Sequence, residues 1–199
     1  SIISEIRAES VTDNMACHYA AAGFSQFEVG LQSTNPTALD TMNRPTDLKR
    51  FVKGVKALQN QGINATIDLI FGLPGDTLQG FKNSVDFILE HDLQDHVQVF
   101  PLLVLPGTAF RRQALDLGLE FSPCPPYPVI KTSAFSPTDM VQALDYAEHA
   151  FDRTFLPFPD LEISYITHGP KDYYISPENL RLLAKLVLDT PRSLAEIHT

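Results

Sequence analysis

The chain has 199 residues, 44% apolar and 20% charged, with a net charge of −9. That composition suits a globular protein with a real core, and its acidic balance without a basic run argues against a dedicated nucleic-acid surface, though not against a phosphate-sized anion site. No apolar stretch reaches the roughly 18 residues of a membrane helix, and no signal peptide is expected from Ser1-Ile2-Ile3-Ser4. The two cysteines, Cys17 and Cys124, are too far apart in sequence for a disulfide framework or a cysteine-only metal cluster, and the cytoplasm is the expected compartment.

Strand and helix patterns alternate along the chain, as in an α/β protein with a parallel sheet. Ile2 to Arg7 reads as the first strand. Thr12 caps a helix running to about Ala22, ended by Gly23. Phe27 to Leu31 is the second strand, followed by a polar loop from Gln32 to Pro45. Asp47 caps a helix with Leu48, Phe51, Val52, Val55 and Leu58 on one face. Gly62 ends it. Thr66 to Phe71 is a third, nearly all-apolar strand, expected to be buried on both faces.

The turn Gly72-Leu73-Pro74-Gly75 comes next, and Asp76 or Thr77 caps a helix with Phe81, Val85, Ile88 and Leu89 inward. Val97 to Val104 is the fourth strand, interrupted by Pro101. Pro106-Gly107-Thr108 starts a short helix ending near Gly118. Five of the 15 prolines fall between Pro123 and Pro137, so this stretch is expected to be an extended crossing. Ser136, with Pro137 in the first turn, caps a long helix carrying Met140, Leu144, Ala147, Phe151 and Phe155. The tail shows an apolar run from Leu161 to Ile166, a His168-Gly169-Pro170 turn, and a helix from Pro177 to Leu188.

The fold class is therefore α/β: a partial (β/α) TIM-like barrel of about four parallel strands with outer helices, plus a mostly helical C-terminal extension. Residues 1–120 form the partial barrel, and residues 121–199 the proline-rich crossing and helical extension. Half a barrel leaves open sheet edges. The expectation is a segment of a longer chain, and the competing one is a short protein that self-associates through the open edge.

Function in such folds gathers at the C-terminal ends of the strands. Four polar residues there are not needed by the fold. They are Glu5 in the first strand, Gln32 after the second, Arg44 in the following loop, and Asp68 between Ile67 and Leu69. Each has a plainer explanation: a solvated Glu5, a loop-bonding Gln32, a surface Arg44, a structurally paired Asp68. Together, an acid, an amide and an arginine on one rim suit a zwitterionic ligand with hydroxyls.

The segments Glu28-Val29-Gly30-Leu31-Gln32-Ser33, Met42-Asn43-Arg44, Asp68-Leu69-Ile70-Phe71-Gly72-Leu73-Pro74-Gly75-Asp76-Thr77 and Leu105-Pro106-Gly107-Thr108 resemble the radical S-adenosylmethionine superfamily in order and spacing. The resemblance covers roughly Ile2 to Leu119. It is closest to members with an N-terminal cobalamin-binding domain, many of them labelled magnesium-protoporphyrin IX monomethyl ester oxidative cyclase. It implies S-adenosylmethionine and a 4Fe–4S cluster in the parent, with cobalamin as a further cofactor there. The partners it implies are a small-molecule cofactor and substrate. By motif position, Glu5 and Arg44 would serve the methionine end, Gln32 and Asp68 the ribose hydroxyls, and Ile70 the adenine.

The sequence departs from the family in lacking the CxxxCxxC motif and the glycine-rich segment after the second strand. Cys17 is expected to pack as a small hydrophobe. The chain alone is therefore expected to hold no cluster and to be inactive. His18, His91, His96 and His149 read as capping or solvated residues, and the aromatics Phe158, Tyr165, Tyr173 and Tyr174 as packing. Two other readings stand beside the enzymatic one. One is a non-catalytic half-barrel binding module. The other is an unrelated barrel whose Gly72–Thr77 turn binds phosphate.

Overall fold

The computed structural model describes residues 1–155, and its compact unit spans Ser1–Arg153. Four parallel strands form one sheet: β1 (Ile2–Glu5), β2 (Phe24–Gln32), β3 (Asn64–Phe71) and β4 (Val97–Pro101). They are hydrogen-bonded in chain order, so each connection moves one strand along, as in a (β/α) barrel. The helices between them are α1 (Asp13–Ala21), α2 (Pro36–Thr41), α3 (Leu48–Gln59) and α4 (Leu78–Glu90), with a 3-10 turn at Ala8–Ser10. This is the expected α/β partial barrel.

Local chemistry accounts for the helix boundaries. Backbone N–H groups of Met15, Arg50 and Gly80 donate to the side chains of Thr12, Asp47 and Thr77, each satisfying an otherwise orphaned donor. On α3 the fully buried side chains are Phe51, Val55 and Leu58, while Val52 is half-buried. On α4 they are Phe81, Val85 and Ile88; Leu89 is half-buried and Ser84 takes the inward place. Each such large apolar side chain contributes about 1.5–3 kcal/mol by leaving water.

Several boundaries differ from the sequence reading. Strand β1 stops at Glu5, two residues before Arg7, and β2 begins at Phe24. The polar stretch after β2 is not only loop, because it contains α2. Strand β4 ends at Pro101, which has no N–H to continue the ladder. Beyond it, Val104 N–H donates to Tyr127 O at 2.9 Å and Val129 N–H to Leu102 O at 2.8 Å, so the chain turns to pair with the proline-rich stretch. There β5 (Glu120–Phe121) and β6 (Val129–Lys131) form an antiparallel pair. The helix after Thr108, α5, covers only Ala109–Arg112 and does not run to Gly118. Cys17 is exposed on α1, where Ala16 supplies the buried position instead.

Helix α6 (Pro137–Phe151) opens with a capping box between Ser136 and Asp139. It packs on α4, where Tyr146 O–H donates to Asp86 Oδ1 at 2.6 Å. Met140 and Val129 fill the space beside Gly72. The expected apolar run Leu161–Ile166, the His168 turn, the Pro177–Leu188 helix and the aromatics Phe158, Tyr165, Tyr173 and Tyr174 lie outside the described residues.

Candidate functional site on the inner face of the sheet

Side chains alternate faces along a strand. On β3, Ile67, Leu69 and Phe71 are buried, and Phe71 meets Phe81 of α4 edge-on at 5.7 Å. Thr66, Asp68 and Ile70 therefore face the other way, onto the side of the sheet opposite α4. Register carries the same face to the neighbours: Glu5 pairs with Glu28, Glu28 with Thr66, Gly30 with Asp68, Asp68 with Gln98, and Ile70 with Phe100. Glu5, Glu28 and Asp68 thus share one face, with Ile70 and Phe100 beyond Asp68 toward the strand C-termini.

Gln32 and Arg44 reach this face by two separate backbone devices. At the end of β2 the register slips between Gly30 and Gln32. Gln32 has φ +68°, and Ser33 N–H donates to Leu31 O at 2.9 Å. This is a γ-turn with a positive central φ, a strained form for a residue with a side chain. It folds the Gln32 carboxamide back over Gly30, where a Cβ would overlap Gln32 Nε2.

Arg44 is aimed by the end of α2. Asn35 caps that helix, Pro36 occupies its first turn, and Asn43 at φ +51° closes it. Arg44 N–H donates to Leu39 O and Asn43 N–H to Asp40 O, the paired bonds of a Schellman motif. From there Arg44 Nη2 donates to Gly30 O at 2.7 Å. Two atoms in this cluster, Gln32 Oε1 and Arg44 Nε, are buried without a hydrogen-bond partner. Such groups are expensive unless something pairs with them.

The Asp68 carboxyl is pushed up from 3.8 to about 6. Partial burial is the main cause, followed by the negative charges of Glu28 and Glu5, while the Arg44 guanidinium pulls the other way. Glu28 was not among the residues singled out from sequence. Its signal was the same as that of Asp68: one charge between two apolar strand residues, Phe27 and Val29.

The turn from Gly72 to Thr77 does not offer a phosphate site. Asp76 is fully buried, and its Oδ1 accepts from Thr77 N–H at 2.8 Å. The chain's own carboxylate therefore fills the N-terminus of α4 where an anion would have to bind. Thr77, not Asp76, is the cap.

A family model described as the Radical SAM superfamily matches residues 2–88. Over these residues the chain is similar to the radical SAM superfamily. The chain is similar to the heme chaperone HemW of Mycobacterium tuberculosis, with 29% identity over 113 residues, covering 56% of this chain and 29% of that protein. Its fold is similar to archaeal Methanocaldococcus infernus Elp3, with a TM-score of 0.64 at 18% identity, covering 95% of this chain and 42% of that one. It is also similar to coproporphyrinogen III oxidase (HemN) from Escherichia coli, a radical SAM enzyme, with a TM-score of 0.59 at 22% identity, covering 84% and 37%. The chain thus spans less than a third of the length of its HemW relative. Kinship with oxidative cyclases draws no support from these proteins.

The superfamily implies S-adenosylmethionine and a 4Fe–4S cluster. The residues present fit the first. Gln32 Oε1 can accept a bond from a hydroxyl and Arg44 Nε can donate to a carboxylate, and both atoms are unpartnered. They do not fit the second. The chain has two cysteines, Cys17 and Cys124, and a cubane cluster takes more thiolates than that. Among the described residues, no group of three or more His, Cys, Asp or Glu is placed to hold a metal ion, and no helix is long and apolar enough to cross a membrane.

Proposed function

We propose that this chain supplies the ribose and adenine side of an S-adenosylmethionine site within a radical SAM enzyme. The observation that carries this reading is the meeting of Gln32 and Arg44 at Gly30, beside Asp68, with an acceptor and a donor left unpaired. Gln32 Oε1 and the Asp68 carboxylate accept from the two ribose hydroxyls. Ile70, next on the same face, packs against adenine. Arg44 Nε and Glu5 hold the carboxylate and ammonium of the methionine end. When bound beside a 4Fe–4S cluster, S-adenosylmethionine supplies a 5′-deoxyadenosyl radical on reductive cleavage. The part of this chain is to orient the nucleoside, and the cluster thiolates come from outside it.

In this reading residues 1–120 carry the site, and residues 121–199 are the proline-rich crossing and C-terminal extension. Cobalamin dependence and cyclase or methyltransferase activity of the whole protein are finer proposals that no described residue supports.

The test is a ¹⁵N-resolved NMR titration of the chain with S-adenosylmethionine and, separately, adenosine. Both should move the resonances of Gly30, Gln32, Asp68 and Ile70 at millimolar ligand, and Gln32→Ala and Asp68→Ala should each suppress the shifts. Resonances that stay in place at millimolar adenosine sink the reading.

A further inference from the structure

We infer that Asp76, in the turn after β3, is the positioning residue for Gln32, holding its carboxamide over Gly30. The ligand arm of the test below rests on the reading above; the positioning itself does not.

Gln32 sits in a conformation that costs on the order of 1–3 kcal/mol and persists only where the surroundings over-determine it. On one side it follows Leu31, fully buried in β2. On the other side, the next three residues are fastened to the turn before α4 and to α4 itself. Ser33 is fully buried, and its Oγ donates to Asp76 Oδ2 at 3.0 Å. Asn35 Nδ2 donates to Asp76 Oδ1 at 2.8 Å, and Asn35 N–H donates to Ser33 Oγ at 3.0 Å. Thr34 N–H donates to Ser84 Oγ at 2.9 Å. With both flanks held, the tight turn at Gln32 is the path left to the chain.

Asp76 is the hub of this arrangement. Its two oxygens accept from a side chain on each of Ser33 and Asn35 and from the Thr77 backbone. A fully buried carboxylate is tolerable only when its lone pairs are satisfied in this way. Gly80 makes room for it: a Cβ there would overlap Asp76 Oδ1 and stand 2.7 Å from Asn35 Nδ2. The carboxylate is spent on the loop and acts on any ligand only through Gln32.

The test has a ligand-free arm and a ligand arm. Without ligand, Asp76→Ala should shift the Gln32 side-chain NH2 resonances. Tyr146→Phe, which loosens α4 against α6 instead, should leave them in place. If Asp76→Ala does not fold, Ser33→Ala and the near-isosteric Asp76→Asn replace it, with smaller shifts in the same direction. Unmoved Gln32 resonances in all of these variants overturn the proposal. With adenosine, Asp76→Ala should weaken binding about tenfold, the scale of one well-placed hydrogen bond. In a Gln32→Ala background the same change should weaken it less than about twofold, because coupled residues are not additive. An equal loss in both backgrounds also overturns it. If the unmutated chain binds no adenosine, the nucleoside reading falls, and the ligand-free arm still decides the role of Asp76.

Discussion

The carbonyl oxygen of Ala8 occupies the space in which a Cβ on Gly54 would stand. The 3-10 turn after β1 therefore lies directly on the backbone of α3, and Gly54 is there to allow it. The neighbour is backbone and cannot swing aside. Gly54→Ala should destabilise the fold by about 3 kcal/mol, the upper range for overpacking, although alanine is the better helix former. Urea denaturation at constant m-value measures this. A neutral or stabilising effect would mean that the turn can lift off α3.

Asp68 links the site to pH. Its carboxyl is raised from 3.8 to about 6, so the folded state holds the proton more tightly than the unfolded state does. Stability therefore falls as pH rises through that window, and is level above it. Asp68→Asn should be more stable than the parent chain above pH 6, by about 1–2 kcal/mol. This is less than full linkage gives, because the carboxylate is only partly buried. The difference should vanish near the unfolded value. Parallel denaturation curves across that range that keep a constant gap would remove the link.

Both cysteines are exposed, Cys17 on α1 and Cys124 in the proline-rich stretch. Each thiol should react with a disulfide reagent in the native protein at a rate close to that in denaturant, since access is not limiting. A thiol that reacts only after unfolding would restore the packed role expected for Cys17.

The edge strand β1 leaves Ile2 and Ile3 45% and 61% exposed, and Phe100 on β4 is 40% exposed. An open edge with exposed apolar side chains invites a further strand. For the chain on its own, a second copy is the source of that strand. Weight-average mass by sedimentation should rise with concentration, and Ile3→Lys should hold it at the monomer. A monomer at every concentration tested counts against this pairing.

Much of this was legible without coordinates. The apolar period of three and four in α3 and α4 marked both helices and their buried faces. Thr12, Asp47 and Ser136 announced their helix starts through side-chain chemistry that acts within three residues. That Asp68 faces away from Ile67 and Leu69 was legible as well, because neighbours in a strand alternate between two faces.

The site itself was decided by tertiary structure. Six-residue α2 is too short to show a helical period, although Asn35-Pro36 at its start and Asn43 past its end are boundary signals. The slip in β2 and the left-handed φ at Gln32 depend on Ser33 bonding to Asp76, 43 residues away. Glu28 belongs with Glu5 and Asp68 only through the register of three strands. Local propensity and period are read over a few neighbouring residues, and they bound what each segment can be. The meeting of Gln32, Arg44, Gly30 and Asp68 depends on which strands pair and in what register. That choice is made by burial of the whole sheet against its helices, and no window of the sequence contains it.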